Sequence, residues 1–143
     1  RMALVLLASA GFGLRCLNLR VSEQDFEKLV ESAFEELPEI YREACHGLAI
    51  RTEPQASKEV LEGLGISDPI ELLGLYHGVS LTKKSNFMVP GLPDEVIIYR
   101  DPIIAYSHRT GEPLSDTVRH VLIHEIGHHF GFSDADMERI END

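Results

Sequence analysis

Four residues near the C-terminus have the types and spacing that metal-assisted hydrolysis requires: His124, Glu125, His128 and Asp134. Residues four apart on an α-helix lie nearly above one another, about 6 Å along the axis, so His124 and His128 can aim both imidazoles at one ion. Glu125 follows the first ligand, where its carboxylate reaches a water held by the metal rather than the metal itself, the position a general base needs. A catalytic zinc takes a third protein ligand and keeps one position open for water. Asp134 is the candidate, because Gly131 can adopt the left-handed conformation that ends a helix and turn the chain back towards the ion. Asp136 and Glu138 are alternatives, and Asp134 has a competing use as the N-cap of a short final helix through Ile140. Chance agreement with H-E-x-x-H-x-x-G-x-x-D in a chain this long is on the order of one in tens of thousands.

Two further histidines flank the motif. His120 and His124 are also four apart, but that register places Val121 where the base should stand, so His120 reads as a surface or partly buried histidine, or as support for a ligand or substrate. His129 lies about 100° around the helix from His128 and should point away from the metal.

The helix that must carry these residues has Val118, Leu122, Ile126 and Phe130 as its core-facing stripe, with His120, His124 and His128 on an adjacent face. Ser115 or Asp116 is expected to cap it, after a polar loop from Ser107 to Pro113. Upstream, Glu95 to Arg100 gives the strongest strand signal, and the prolines flanking it suit an edge that could pair with an extended peptide. Gly74-Leu75-Tyr76-His77-Gly78 reads as a strand flanked by glycines where backbone or substrate comes close. Lys83 to Asn86 forms a polar bend.

Nearer the N-terminus, Ser22-Glu23-Gln24-Asp25 has the form of a capping box, and Phe26, Leu29, Val30, Ala33, Phe34 and Leu37 make one apolar helix face that Pro38 stops. Short helical turns are expected over Pro38 to Cys45, Ala56 to Leu61 (closed by Gly63) and Ser67 towards Leu73, with a strand over Leu48 to Thr52. Residues Met2 to Leu14 are almost wholly apolar, with Arg1 before them and Ala8-Ser9-Ala10 resembling a cleavage site. They are too short to span a bilayer comfortably. A signal peptide, an extra helix or strand, and an upstream extension all fit. The helix start that follows at once favours an extension over 1–21, leaving 22–143 as the working domain.

The chain has 143 residues, 43% of them hydrophobic, which suits one core. Its net charge of −11 and pI near 5.0 weigh against a nucleic acid partner, since such binding needs Lys and Arg on the phosphates. The same acidity suits a cytoplasmic protein, or an exported one if the apolar N-terminus is a signal peptide. Cys16 and Cys45 lack a C-x-x-C spacing and read as reduced thiols, and Cys45 beside His46 is a poor nucleophile–base pair.

Over Ser22 to Glu141 the sequence resembles the small bacterial zincin-like metallopeptidases, the minimal zincin domain family. The resemblance rests on the N-terminal helix ending at Leu37-Pro38, the Gly74 to Gly78 segment, Leu92-Pro93-Asp94 before a strand, and the His124 to Asp134 motif. It implies an α/β (α+β) fold, with a small mixed sheet, an N-terminal helix and an active-site helix. It further implies Zn2+ held by His124, His128 and Asp134, Glu125 as catalytic base, and a peptide or protein substrate. The motif is similar also to that of metzincins, which place a Met-turn well beyond the third ligand. Met137 is too near Asp134 for that, so the floor of the site must be built differently. The oxyanion needs a donor, and Tyr76, Tyr99, Tyr106, His108 and His120 are candidates. Two other readings stand beside a metallopeptidase: a metal-holding module that binds peptides without turnover, and a metal-dependent endoribonuclease. Glu125 and the acidic balance weigh against the latter. No membrane partner is expected, and no feature of the sequence fixes an oligomeric state.

Overall fold

Ser22 starts the first helix as its side chain predicts. In the computed structural model, which describes residues 2–5, 21–78, 94–132, 135–136 and 139, α1 spans Glu23–Glu35 and Ser22 Oγ accepts a hydrogen bond from the Asp25 amide at 3.0 Å. Phe26, Val30 and Ala33 are buried, while the glutamates of the opposite face are exposed. Burying Phe26 and Val30 contributes about 1.5–3 kcal/mol each. A short α2 (Glu39–Ala44) follows Pro38, then β2 (Ala49–Glu53). Helix α3 (Lys58–Leu64) is capped by Ser57 and closed by Gly65 at φ +70, two residues beyond the Gly63 that the sequence suggests as the end of an Ala56 to Leu61 turn. A 3-10 turn at Pro69–Glu71 leads into β3 (Leu72–His77). The remaining elements are β4 (Glu95–Tyr99), α4 (Arg100–Thr110) and α5 (Leu114–Phe130).

Residues Met2–Val5 form β1, and the sheet order is β1-β3-β4-β2. The β1–β3 and β3–β4 pairs are antiparallel and β2–β4 is parallel, which makes the sheet mixed. The expectation of an edge at Glu95 to Arg100 is therefore wrong. Strand β4 is an interior strand, with Val96, Ile97, Ile98 and Tyr99 all buried, so it cannot offer its edge to a peptide. Of its flanking prolines, Pro102 lies in the next helix and takes no part in the ladder, and Pro93 lies outside the described residues.

Register explains the two cores. Gly74 opposes Ile98 and Tyr76 opposes Val96 on the face that meets α1 and α5, where Phe26, Leu73, Val118, Val121, Leu122 and Ile126 pack. Leu75 opposes Ile97 on the other face, which Ala56 and Leu61 cover. The segment read as a polar loop, Ser107 to Pro113, is a second correction: α4 runs through Thr110 and ends at Gly111, φ +77. Pro102 falls in the first helical turn, where a missing N–H costs nothing. Among the described residues no helix is long and apolar enough to cross a membrane.

Candidate metal centre

Helix α5 starts at Leu114 with Pro113 at its N-cap and no side-chain capping bond, so neither Ser115 nor Asp116 caps it. Instead Thr117 Oγ1 donates to the Glu112 carboxylate at 3.1 Å, tying the first turn to the preceding chain. Val118, Leu122 and Ile126 face the core as the periodicity predicts, and Phe130 is half-buried against it. His120, His124 and His128 are the partly exposed positions of the adjacent face. The rings of His120 and His124 stack, with centroids 4.7 Å apart and 28° between planes. His120 thus lies in contact with the first ligand candidate.

Glu125 takes the opposite direction. It is 0% exposed, and its side chain lies against β3 at Gly74. A Cβ on Gly74 would stand 2.8 Å from Val121 Cγ1, 3.0 Å from Glu125 Cγ and 3.3 Å from its Oε1. The glycine the sequence marks as a point of close approach is where helix and strand meet around Glu125.

The end of α5 follows the expected turn. Gly131 has φ +77, its amide donates to His128 O at 3.1 Å, and the Phe132 amide donates to Gly127 O at 2.9 Å, the pair of bonds of a Schellman ending. Phe132 stacks on Phe130 at 5.3 Å, and both meet the edge of Tyr41. The chain leaving His128 is therefore held in one direction. Asp134 and Glu138 lie outside the described residues; Asp136 is partly buried and pairs with Arg139. Among the described residues no group of three His, Cys, Asp or Glu side chains could hold a metal ion. The donors present suit zinc nonetheless: two imidazoles four apart on one half-exposed face, with a fixed turn leading away from the second.

A family model described as zincin-like metallopeptidase matches residues 45–143, more than half of the chain. The chain belongs to the zincin-like metallopeptidase family. That family implies zinc binding and peptide hydrolysis, and the α/β fold with its mixed sheet agrees with it. No curated protein matches the chain.

For this zincin-like chain the oxyanion candidates separate by environment. Tyr76 Oη donates to Asp94 Oδ2 at 3.0 Å in a buried position. Burial, and then the hydrogen bond to Asp94, push its phenol above the ordinary range. Tyr99 is wholly buried, its hydroxyl without a hydrogen-bond partner among the described residues, and burial pushes it to about 12. Arg109 sits over the Tyr106 ring at 5.4 Å, and His108 is exposed. The Cys45 thiol is buried and pushed up to about 11 by that burial, the reverse of what a nucleophile needs.

Sequence reasoning marked Asp94 only as part of the Leu92-Pro93-Asp94 entry to a strand and gave it no partner. It is 5% exposed and meets His129 Nδ1 at 3.2 Å, and His129 points into the sheet rather than along the His124 and His128 face. A lone aspartate ahead of a strand carries no local signal of such a role. A groove of about 470 Å³ between α1 and β2, lined by Val30, Phe34, Leu48 and Ile50, includes none of the motif residues.

Proposed function

We propose that this chain is a zinc-dependent peptide hydrolase in which His124, His128 and Asp134 hold the metal and Glu125 is the general base. The observation that supports it most is the arrangement on α5: two imidazoles share a half-exposed face while the carboxylate between them is fixed against β3. Zinc held there would supply water activation, with a bound-water pKa of about 7, and polarisation of the scissile carbonyl. Glu125 would be the group that accepts a proton from the attacking water and passes it to the leaving amine. Its confinement between Gly74 and Val121 limits the rotamers from which it does so, which favours a single orientation. His120, stacked on His124, holds that imidazole's plane.

The substrate is a peptide or protein. The net charge of −11 argues against nucleic acid, and a cytoplasmic site of action accords with that acidity. Zinc content of the purified chain and of its His124→Ala and His128→Ala variants tests the metal assignment. One zinc per chain in the wild type and none in either variant is the expected result, and full zinc in both variants contradicts it.

One observation favours a second reading, a metal-holding module that binds peptides without turnover: Glu125 is 0% exposed. The two readings part on a broad peptide library, where zinc-loaded protein that binds peptides and cleaves none supports the module.

A further inference from the structure

Tyr76 in the Gly74 to Gly78 segment and Asp94 at the start of the following strand have no part in the mechanism above, yet both meet the motif helix. Tyr76 comes from β3, Asp94 immediately precedes β4, and His129 follows the ligand candidate His128 on α5. Tyr76 Oη donates to Asp94 Oδ2 at 3.0 Å, and His129 Nδ1 lies 3.2 Å from Tyr76 Oη and 3.2 Å from Asp94 Oδ2. With the Tyr76 hydroxyl donating to Asp94, His129 Nδ1 lies within hydrogen-bond reach of both oxygens. The three residues are 1%, 5% and 3% exposed. Gly78 makes room for them: a Cβ there would stand 2.4 Å from Asp94 Oδ1.

Burying three polar side chains costs desolvation that apolar residues of like size would avoid, and mutual hydrogen bonding offsets it only in one relative orientation. Such a set therefore fixes geometry more than it adds stability. Here the set meets the last turn of α5, which carries His128 three residues before Gly131.

We propose that Tyr76, Asp94 and His129 form a buried positioning unit that locks the C-terminal turn of α5 onto the sheet and so sets the His128 imidazole for the metal. This rests on the reading of His124 and His128 as zinc ligands. Each acts through the placement of His128.

The test is the zinc dissociation constant of the full chain, measured by chelator competition well below the unfolding midpoint, with the cobalt(II) absorption spectrum as a second readout. Tyr76→Phe keeps the ring, which packs at 5.8 Å from His129, and removes only the hydroxyl, so it should fold. It is expected to weaken zinc about tenfold, with Asp94→Asn and His129→Leu weaker still, and to shift the cobalt spectrum. His129→Asn, which returns a nitrogen donor to the position of Nδ1, should recover much of the loss. Wild-type zinc affinity and an unchanged cobalt spectrum in folded Tyr76→Phe and His129→Leu would overturn the proposal, whatever happens to their melting temperatures. If the wild type itself binds no zinc, and His124→Ala changes nothing, the underlying metal assignment falls and the positioning unit with it.

Discussion

Gly74 on β3 leaves the space that the Glu125 side chain on α5 fills, and a Cβ there would stand 3.0 Å from Glu125 Cγ. Because Val121 Cγ1 would be 2.8 Å away on the same side, the added methyl cannot be absorbed by moving one flexible group. Gly74→Ala should lower stability by about 1–3 kcal/mol through overpacking. It should also displace the base, reducing kcat at least about tenfold while zinc content is unchanged. Urea unfolding and metal analysis beside peptide hydrolysis check both parts, and unaltered kcat would show that the contact does not position Glu125.

Gly131 is the second glycine whose conformation the site needs. At φ +77 a side chain costs about 1 kcal/mol or more, so Gly131→Ala should be less stable by that amount. Relaxing the turn would also loosen the path from His128 to Asp134, and zinc affinity should fall. Equal affinity in mutant and wild type would separate the turn from the metal.

Alkaline stability follows from buried acids. Burial pushes the Cys45 thiol from 9.0 to about 11 and, as the largest cause, the Tyr99 phenol from 10.0 to about 12. The folded chain keeps protons that the unfolded chain releases, so these contributions are complete below about pH 9 and are lost as pH rises towards 11 and 12. Melting temperature should fall steadily across that window, and Cys45 should resist alkylation at neutral pH until the chain unfolds. A flat profile above pH 9 would contradict both assignments.

On the acid side, the hydrogen bond from Arg51 holds the Glu95 carboxyl below its ordinary value, with His77 at 3.7 Å adding to it. Its contribution is present above pH 4.5 and is lost as pH falls through the lowered value. With the Arg51 side chain 46% exposed, solvent screens the pair, so Glu95→Gln should cost under about 1 kcal/mol at neutral pH. Urea unfolding at neutral and acid pH measures it; the mutant should lose less stability than wild type on acidification.

The parts of this molecule legible in its sequence are those governed by neighbours along the chain. Ser22 and the apolar period after it locate α1, and the spacing of His124 and His128 with the Val118 to Ile126 stripe locates α5 and its exposed histidine face. Gly131 ends that helix because only local backbone conformation is at stake. Strand β4 looked like an edge because of its flanking prolines, but strand order is decided by long-range pairing with β2 and β3. Helix α4 was hidden because Asp101-Pro102 reads as a breaker, whereas proline in a first turn starts a helix. The Tyr76, Asp94 and His129 set joins residues 18 and 53 positions apart, which no local pattern reveals. The burial of Glu125 likewise depends on a glycine in a distant strand.

The central claim, that Glu125 is the base of a zinc-dependent peptide hydrolase, is tested most directly by hydrolysis of a peptide library by wild type and Glu125→Gln with zinc measured in both. Retained zinc and loss of nearly all hydrolysis in Glu125→Gln is the expected result, since the amide cannot accept the proton. Equal hydrolysis by the two proteins would contradict it.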